Sequence, residues 1–143
     1  MKPVCLDSSI LVSIALLDSR GYQALAALGS RDGCTSELSL VECQAGISSN
    51  ASGLAAGLPS IERALNAILG CMLMLPVTSA VVGQARTLVR RHRSGIGLRT
   101  LDAIHIASCA EIQAQLGAVE YLTADRRQHR AFSAEGFSGS LIP

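Results

Sequence analysis

An α/β fold built on a parallel sheet is what this sequence predicts, and three observations lead to it. Short apolar runs that suit buried strands alternate with longer segments whose apolar residues recur at helical spacing. Gly29, Gly97 and Gly117 stand where helical segments close. Four acids, Asp7, Glu42, Asp102 and Asp125, border or interrupt apolar segments. Strand–helix alternation places helices on both faces of the sheet, with functional groups at the carboxyl ends of the strands. Carboxylates held there are partly desolvated and repel one another unless cations or protons intervene.

Each element follows from local signals. Pro3–Asp7 reads as a buried strand, Ile10–Leu17 as a helix, and Tyr22–Leu28 as a second helix ending at Gly29. Gly33–Ser36 is a short strand leading into a helix through Gly46. Ser48–Ser60, rich in Ser, Gly and Ala, reads as a loop or loose helical connection and as the most mobile segment. Ile61–Leu69 is helical by spacing, and Cys71–Val77 is apolar enough for a buried strand. Ser79–His92 is a helix with an arginine-rich outer face, broken by Gly95 and Gly97. Leu101–Leu116 is a helix, Val119–Thr123 a strand, Arg126–Glu135 a helix and Phe137–Ile142 a last strand.

Composition bounds the function. At 143 residues, 49% hydrophobic and 16% charged, residues 1–143 fit one domain able to bury a core. A formal net charge of +1 gives no global attraction to nucleic acid, so such binding requires segregated charge. Arg86, Arg90, Arg91, Arg93 and Arg99 occur without an acid among them, and Arg126, Arg127 and Arg130 follow Asp125. Five scattered cysteines in apolar sequence, with no C-x-x-C pair, read as buried thiols in a reducing cytosol. Neither Val4–Leu17, interrupted by Asp7, nor Ala64–Val77, which holds Asn66 and ends at Pro76, suits an export signal or a membrane span. A cytoplasmic protein with no membrane partner is expected.

Each acid also has a plainer explanation. Ser39 and Glu42 match a capping box, Asp102 suits a first helical turn, and Asp7 and Asp125 suit N-caps. Caps need no relation to one another, whereas these four fit one end of one sheet.

The strings Val4-Cys-Leu-Asp-Ser-Ser-Ile-Leu-Val12, Thr35-Ser-Glu-Leu-Ser-Leu-Val-Glu42, Leu98-Arg-Thr-Leu-Asp-Ala-Ile-His-Ile-Ala107 and Leu122-Thr-Ala-Asp-Arg-Arg127 resemble, in order, the four motifs of the PIN-domain family. Within it the chain most resembles VapC-like toxins of type II toxin–antitoxin pairs. The resemblance implies a small α/β domain with a central parallel sheet and a metal-dependent endoribonuclease; a structured RNA such as tRNA or rRNA is the substrate class that the scarcity of aromatic side chains fits. It also implies a homodimer and a cognate VapB-like antitoxin. Asp7, Glu42, Asp102 and Asp125 match the acidic quartet, and Thr123 the hydroxyl before the last acid. Ser48–Ser60 is richer in Gly and Ser than the helical arm expected there.

The residues themselves bear on the chemistry. Carboxylates without Cys or His at ligand spacing favour a hard cation, Mg²⁺ or Mn²⁺. Asp7 and Asp102 are the expected direct ligands, with Glu42 and Asp125 acting directly, through water or on a second ion. Glu42 or Asp125 is the candidate base, and Ser8 a hydrogen-bonding support. Hydrolysis leaving 5′-phosphate and 3′-hydroxyl ends is the family expectation. Arg99, Arg126 and Arg127 are candidates for RNA or antitoxin contact, and Arg86, Arg90 and Arg93 share one helical face. No Trp, two Tyr and two Phe leave few stacking platforms for bases. His105 reads as a packing or supporting residue, and His92 and His129 as exposed. An aspartyl phosphotransferase centred on Asp7 lacks its D-x-D partner because position 9 is Ser. The remaining alternative is a non-catalytic PIN-like module that binds RNA or antitoxin.

Overall fold

The computed structural model describes residues 2–50 and 57–143. Its elements are β1 (Val4–Leu6), α1 (Ser8–Leu16), α2 (Ser19–Leu28), β2 (Gly33–Ser36), α3 (Leu38–Asn50), α4 (Gly57–Gly70), β3 (Leu73–Leu75), α5 (Ser79–Ile96), α6 (Thr100–Leu116), β4 (Glu120–Thr123), α7 (Arg126–Ala134) and β5 (Ser138–Leu141). The strands form one sheet in the order β3-β2-β1-β4-β5, and every pairing is parallel. The predicted architecture is the one observed.

Strand alternation divides the core into two layers. Val4, Leu6 and Leu122 pack with buried residues of α1 to α4, including Ile10, Ile47 and Leu65. Their neighbours Cys5 and Tyr121 point the other way, onto Leu88, Ile106 and Phe132 of α5, α6 and α7. Both faces of the sheet are thus covered, as a parallel sheet requires. From β1 the chain moves to one side through β2 and β3, then returns at β4 on the other side. The carboxyl ends of β1 and β4 therefore flank a topological switch point, where connections diverge and leave a crevice.

Several expectations need correction. Of the predicted loop or loose helical connection, residues 48–50 and 57–60 take the helical alternative: Ile47 and Ile61 are buried and hold the adjoining turns of α3 and α4 against the core. The rest of that segment, residues 51–56, lies outside the described residues. Gly95 does not break α5, because Ile96 packs on the core beyond it; Gly97 ends the helix at φ 77°, its N–H bonded to the Arg93 carbonyl and the Leu98 N–H to that of His92. Cys71–Val77 yields only a three-residue edge strand with Leu73 exposed, and Cys71, in the turn closing α4, is exposed while the other four cysteines are buried. His92 is buried, with Nε2 2.5 Å from Glu135 Oε1, so the arginine-rich helix turns one titratable side chain inward. Among the described residues no helix is long and apolar enough to cross a membrane.

Two contacts yield predictions. At Gly21, a Cβ would lie 2.2 Å from the Ser13 carbonyl oxygen, where α2 meets α1. Gly21→Ala should therefore force backbone displacement and destabilise the fold by roughly 1–3 kcal/mol or more in urea titration. Glu135 accepts from Arg91 at 2.7 Å and faces His92. Desolvation pushes its carboxyl up, but His92 and Arg91 outweigh that and hold it below the ordinary value of 4.5. A carboxyl depressed in the folded state stabilises above its unfolded pKa and loses that contribution as pH falls through the folded one. Glu135→Gln should cost up to about 1 kcal/mol at pH 7, and thermal melts should converge with wild type as pH drops below about 4.

Candidate metal and phosphodiester site

Asp7 follows the last residue of β1 and N-caps α1, accepting the Ile10 N–H at 3.0 Å. The plainer role is therefore real, yet incomplete. The side chain is fully buried and also accepts from Ser9 Oγ at 2.7 Å and Thr123 Oγ1 at 2.5 Å. No cationic side chain pairs with it among the described residues. Burial pushes its carboxyl above the usual range, against the opposing pull of those hydrogen bonds and the charge of His105. Thr123, closing β4, accepts the Asp125 N–H at 3.0 Å, so one hydroxyl joins the ends of two adjacent strands.

Glu42 does not close a capping box. Ser39 already lies within α3, and its hydroxyl is 2.7 Å from Thr35 Oγ1 at the end of β2. Glu42 Oε2 instead accepts from Ser8 Oγ at 2.5 Å and lies 3.0 Å from His105 Nε2. His105 is thus a support for an acid, one helical turn beyond Asp102. Desolvation raises the Glu42 carboxyl, but bonds from His105 and Ser8 more than compensate and bring it below its ordinary value. Among the described residues, its Oε1 is buried without a hydrogen-bond partner. An orphaned carboxylate oxygen is costly unless something with positive charge or a proton reaches it.

Asp102 sits in the first turn of α6, nearly buried. Oδ2 accepts the Arg99 N–H at 3.3 Å and Oδ1 accepts from Gln128 Nε2 at 3.0 Å. Gln128 went unnoticed in the sequence, where it stands among charged residues with no pattern to mark it; only the fold turns it inward. Asp125 N-caps α7, taking the N–H groups of Arg127 and Gln128 and the Arg127 guanidinium. Desolvation raises its carboxyl, and the Arg127 and Gln128 bonds overcome this to hold it low.

Buried hydrogen bonds thus tie two of the acids to neutral side chains: Asp7 to Thr123, and Asp102 to Gln128 and through it to Tyr121. Glu42 joins through Ser8, next in sequence to Asp7. Asp125 enters the network through its backbone N–H, with its carboxylate turned into its own helix. Among the described residues no three His, Cys, Asp or Glu side chains converge closely enough to enclose an ion. The donor set nonetheless fits Mg²⁺ or Mn²⁺, hard cations that need few protein ligands and retain waters. A cation would also relieve the two defects present, the unpaired Asp7 charge and the orphaned Glu42 Oε1. A groove of about 430 Å³ between α1 and α3 reaches Ser8, Ser9 and, of these four acids, Glu42 alone. Arg99 and Arg126 are exposed, whereas Arg127 is engaged by Asp125.

The family model for the PIN domain matches residues 4–132. This chain belongs to the PIN domain family. Among solved structures, this PIN domain is similar to the VapBC2 structure from Rickettsia felis bound to a promoter DNA fragment, with TM-score 0.66, 16% identity and 99% of each chain covered. It is similar to a toxin–antitoxin complex from Klebsiella pneumoniae, with TM-score 0.61, 19% identity and coverage of 85% of this chain and 86% of the other. A DNA-bound VapBC from Salmonella typhimurium matches with TM-score 0.58, 19% identity and 100% of each chain. At these identities the likeness establishes the fold. No curated protein matches the sequence.

Replacing the hydroxyl that joins β1 to β4 should be costly. Thr123→Val would strip Asp7 of a donor and leave the Asp125 N–H unpaired, destabilising the PIN domain by roughly 1–3 kcal/mol in urea titration.

Proposed function

We propose that this PIN domain is a metal-dependent endoribonuclease and the toxin of a type II toxin–antitoxin pair, cutting structured RNA such as tRNA or rRNA. The observation that carries the reading is Asp7: a fully buried carboxylate at the switch point of the sheet, with no cationic side chain paired to it among the described residues and a hydroxyl bridge to the Asp125 backbone. Similarity to chains from toxin–antitoxin complexes supports the biological setting. The same reading takes residues 1–143 as one domain that works in the cytoplasm, pairs with a second copy and is neutralised by a VapB-like antitoxin.

Asp7 and Asp102 would hold the ion, with Glu42 and Asp125 contributing directly or through water. Bound Mg²⁺ or Mn²⁺ supplies Lewis acidity, acidifying water and offsetting charge on phosphate oxygens. The protein contributes fixed acceptors. Ser8 and His105 hold Glu42 through Oε2, leaving Oε1 as the atom available to take a proton from the attacking water. Asp125 is less suited to that task because α7 and Arg127 engage its oxygens. Arg99 and Arg126 suit the RNA backbone, a sequence-blind and salt-sensitive contact. Arg127 would join them only by leaving Asp125. Hydrolysis in this way leaves 5′-phosphate and 3′-hydroxyl ends.

The engagement of Asp125 by Arg127 also favours a second reading, a PIN-like module that binds RNA or antitoxin without cutting. A labelled panel of tRNAs and rRNA fragments, incubated with antitoxin-free protein in Mg²⁺, Mn²⁺ or EDTA, separates the two. The nuclease reading expects EDTA-sensitive cuts with 5′-phosphate ends, slowed roughly a hundredfold or more in Asp102→Asn. RNA retention without cleavage in either metal would favour the module.

A further inference from the structure

We propose that Gln128 is a positioning residue that fixes the Asp102 carboxylate for the ion; this rests on the reading of Asp102 as a metal-holding acid. Gln128 enters α7 beside its N-cap, yet its side chain is buried between β4 and α6. Its two ends have distinct partners. Nε2 lies 3.0 Å from Asp102 Oδ1, and Oε1 lies 2.6 Å from the Tyr121 hydroxyl. A carboxylate can only accept, so the amide must present its NH₂ to Asp102 and its carbonyl to Tyr121, whose hydroxyl then donates. The opposite amide orientation would set oxygen against oxygen. Thr123 does not disturb this order: its single hydroxyl hydrogen serves Asp7 at 2.5 Å, leaving the 3.5 Å approach to Gln128 without a proton.

The result is a directed chain, Tyr121 to Gln128 to Asp102, inside the protein. It parallels a second one running from the Asp125 N–H through Thr123 to Asp7. Hydrogen bonds in series polarise one another, and in a buried setting they hold a carboxylate in one orientation. Capping of α6 does not require this arrangement, because Asp102 Oδ2 already accepts the Arg99 N–H. The donor on Oδ1 instead stops the carboxylate rotating about its bond to the chain. Two donors also leave part of its accepting capacity free. Partners that orient metal ligands from behind commonly change metal affinity or activity by about 10–100-fold when removed.

The test is Mn²⁺ binding to RNA-free protein, followed by the spectrum of free Mn²⁺, for wild type, Gln128→Met, Gln128→Asn and Asp102→Asn. Methionine keeps the length without a donor, and asparagine keeps the amide but falls one methylene short. Each Gln128 variant should weaken Mn²⁺ binding roughly tenfold or more, approaching the effect of Asp102→Asn. In cleavage assays the Mn²⁺ concentration for half-maximal rate should rise similarly, while KM for RNA at saturating Mn²⁺ stays within about twofold because Gln128 is buried away from substrate. If Gln128→Met fails to fold, Gln128→Asn decides by the same readings. A folded Gln128 variant that melts at lower temperature but binds Mn²⁺ as wild type does would overturn the inference, reducing Gln128 to a packing element. Absence of Mn²⁺ binding by wild type would overturn the metal reading itself.

Discussion

Everything at the carboxyl edge of this sheet depends on keeping the Asp7 carboxylate buried. The charge is surrounded by neutral donors: a helix N–H, the Ser9 hydroxyl and the Thr123 hydroxyl. Such donors make burial tolerable without cancelling the charge. The same bonds are structural ties, since one caps α1 and another fastens β1 to β4. Fold and site therefore share atoms. Weakening the site's support also loosens the sheet where its connections diverge.

The other acids are held by a common device applied differently. Glu42 is gripped through one oxygen by Ser8 and His105, and its second oxygen has no partner among the described residues. Asp102 receives one donor on each oxygen, from the start of its own helix and from Gln128. Asp125 is satisfied chiefly by α7 and Arg127. These differences distinguish four residues that look equivalent in a list of acids.

The sequence carried the sheet and three of the caps because these rest on local rules: strand alternation, an acid before a helix, glycine after one. Gly33–Ser36 was legible to the residue, since the polar stretch Ser30–Asp32 before it and the helix after it leave a short strand little freedom. Long-range partners were not legible. Glu42 fits a capping box with Ser39 in sequence, but α3 begins before Ser39 and its geometry sends Glu42 to His105, 63 positions away. His92 looked exposed among arginines until Glu135 was folded against it. Gln128 is invisible for the same reason: its amide acquires meaning only when β4 and α6 lie side by side. Gly95 misled because helix propensity charges only about 1 kcal/mol for glycine, less than the packing beyond it returns.

The central claim is that the buried charge of Asp7 is a defect which a divalent cation relieves. Thermal unfolding of wild type and Asp7→Asn, each in EDTA and in rising Mg²⁺ or Mn²⁺, measures this directly, because a ligand that binds only the folded state stabilises it by mass action. The account predicts that wild type gains stability with metal, whereas Asp7→Asn is at least as stable as wild type in EDTA and gains little. A wild type indifferent to both metals, or an Asp7→Asn protein that is less stable in EDTA yet responds to metal like wild type, would contradict it.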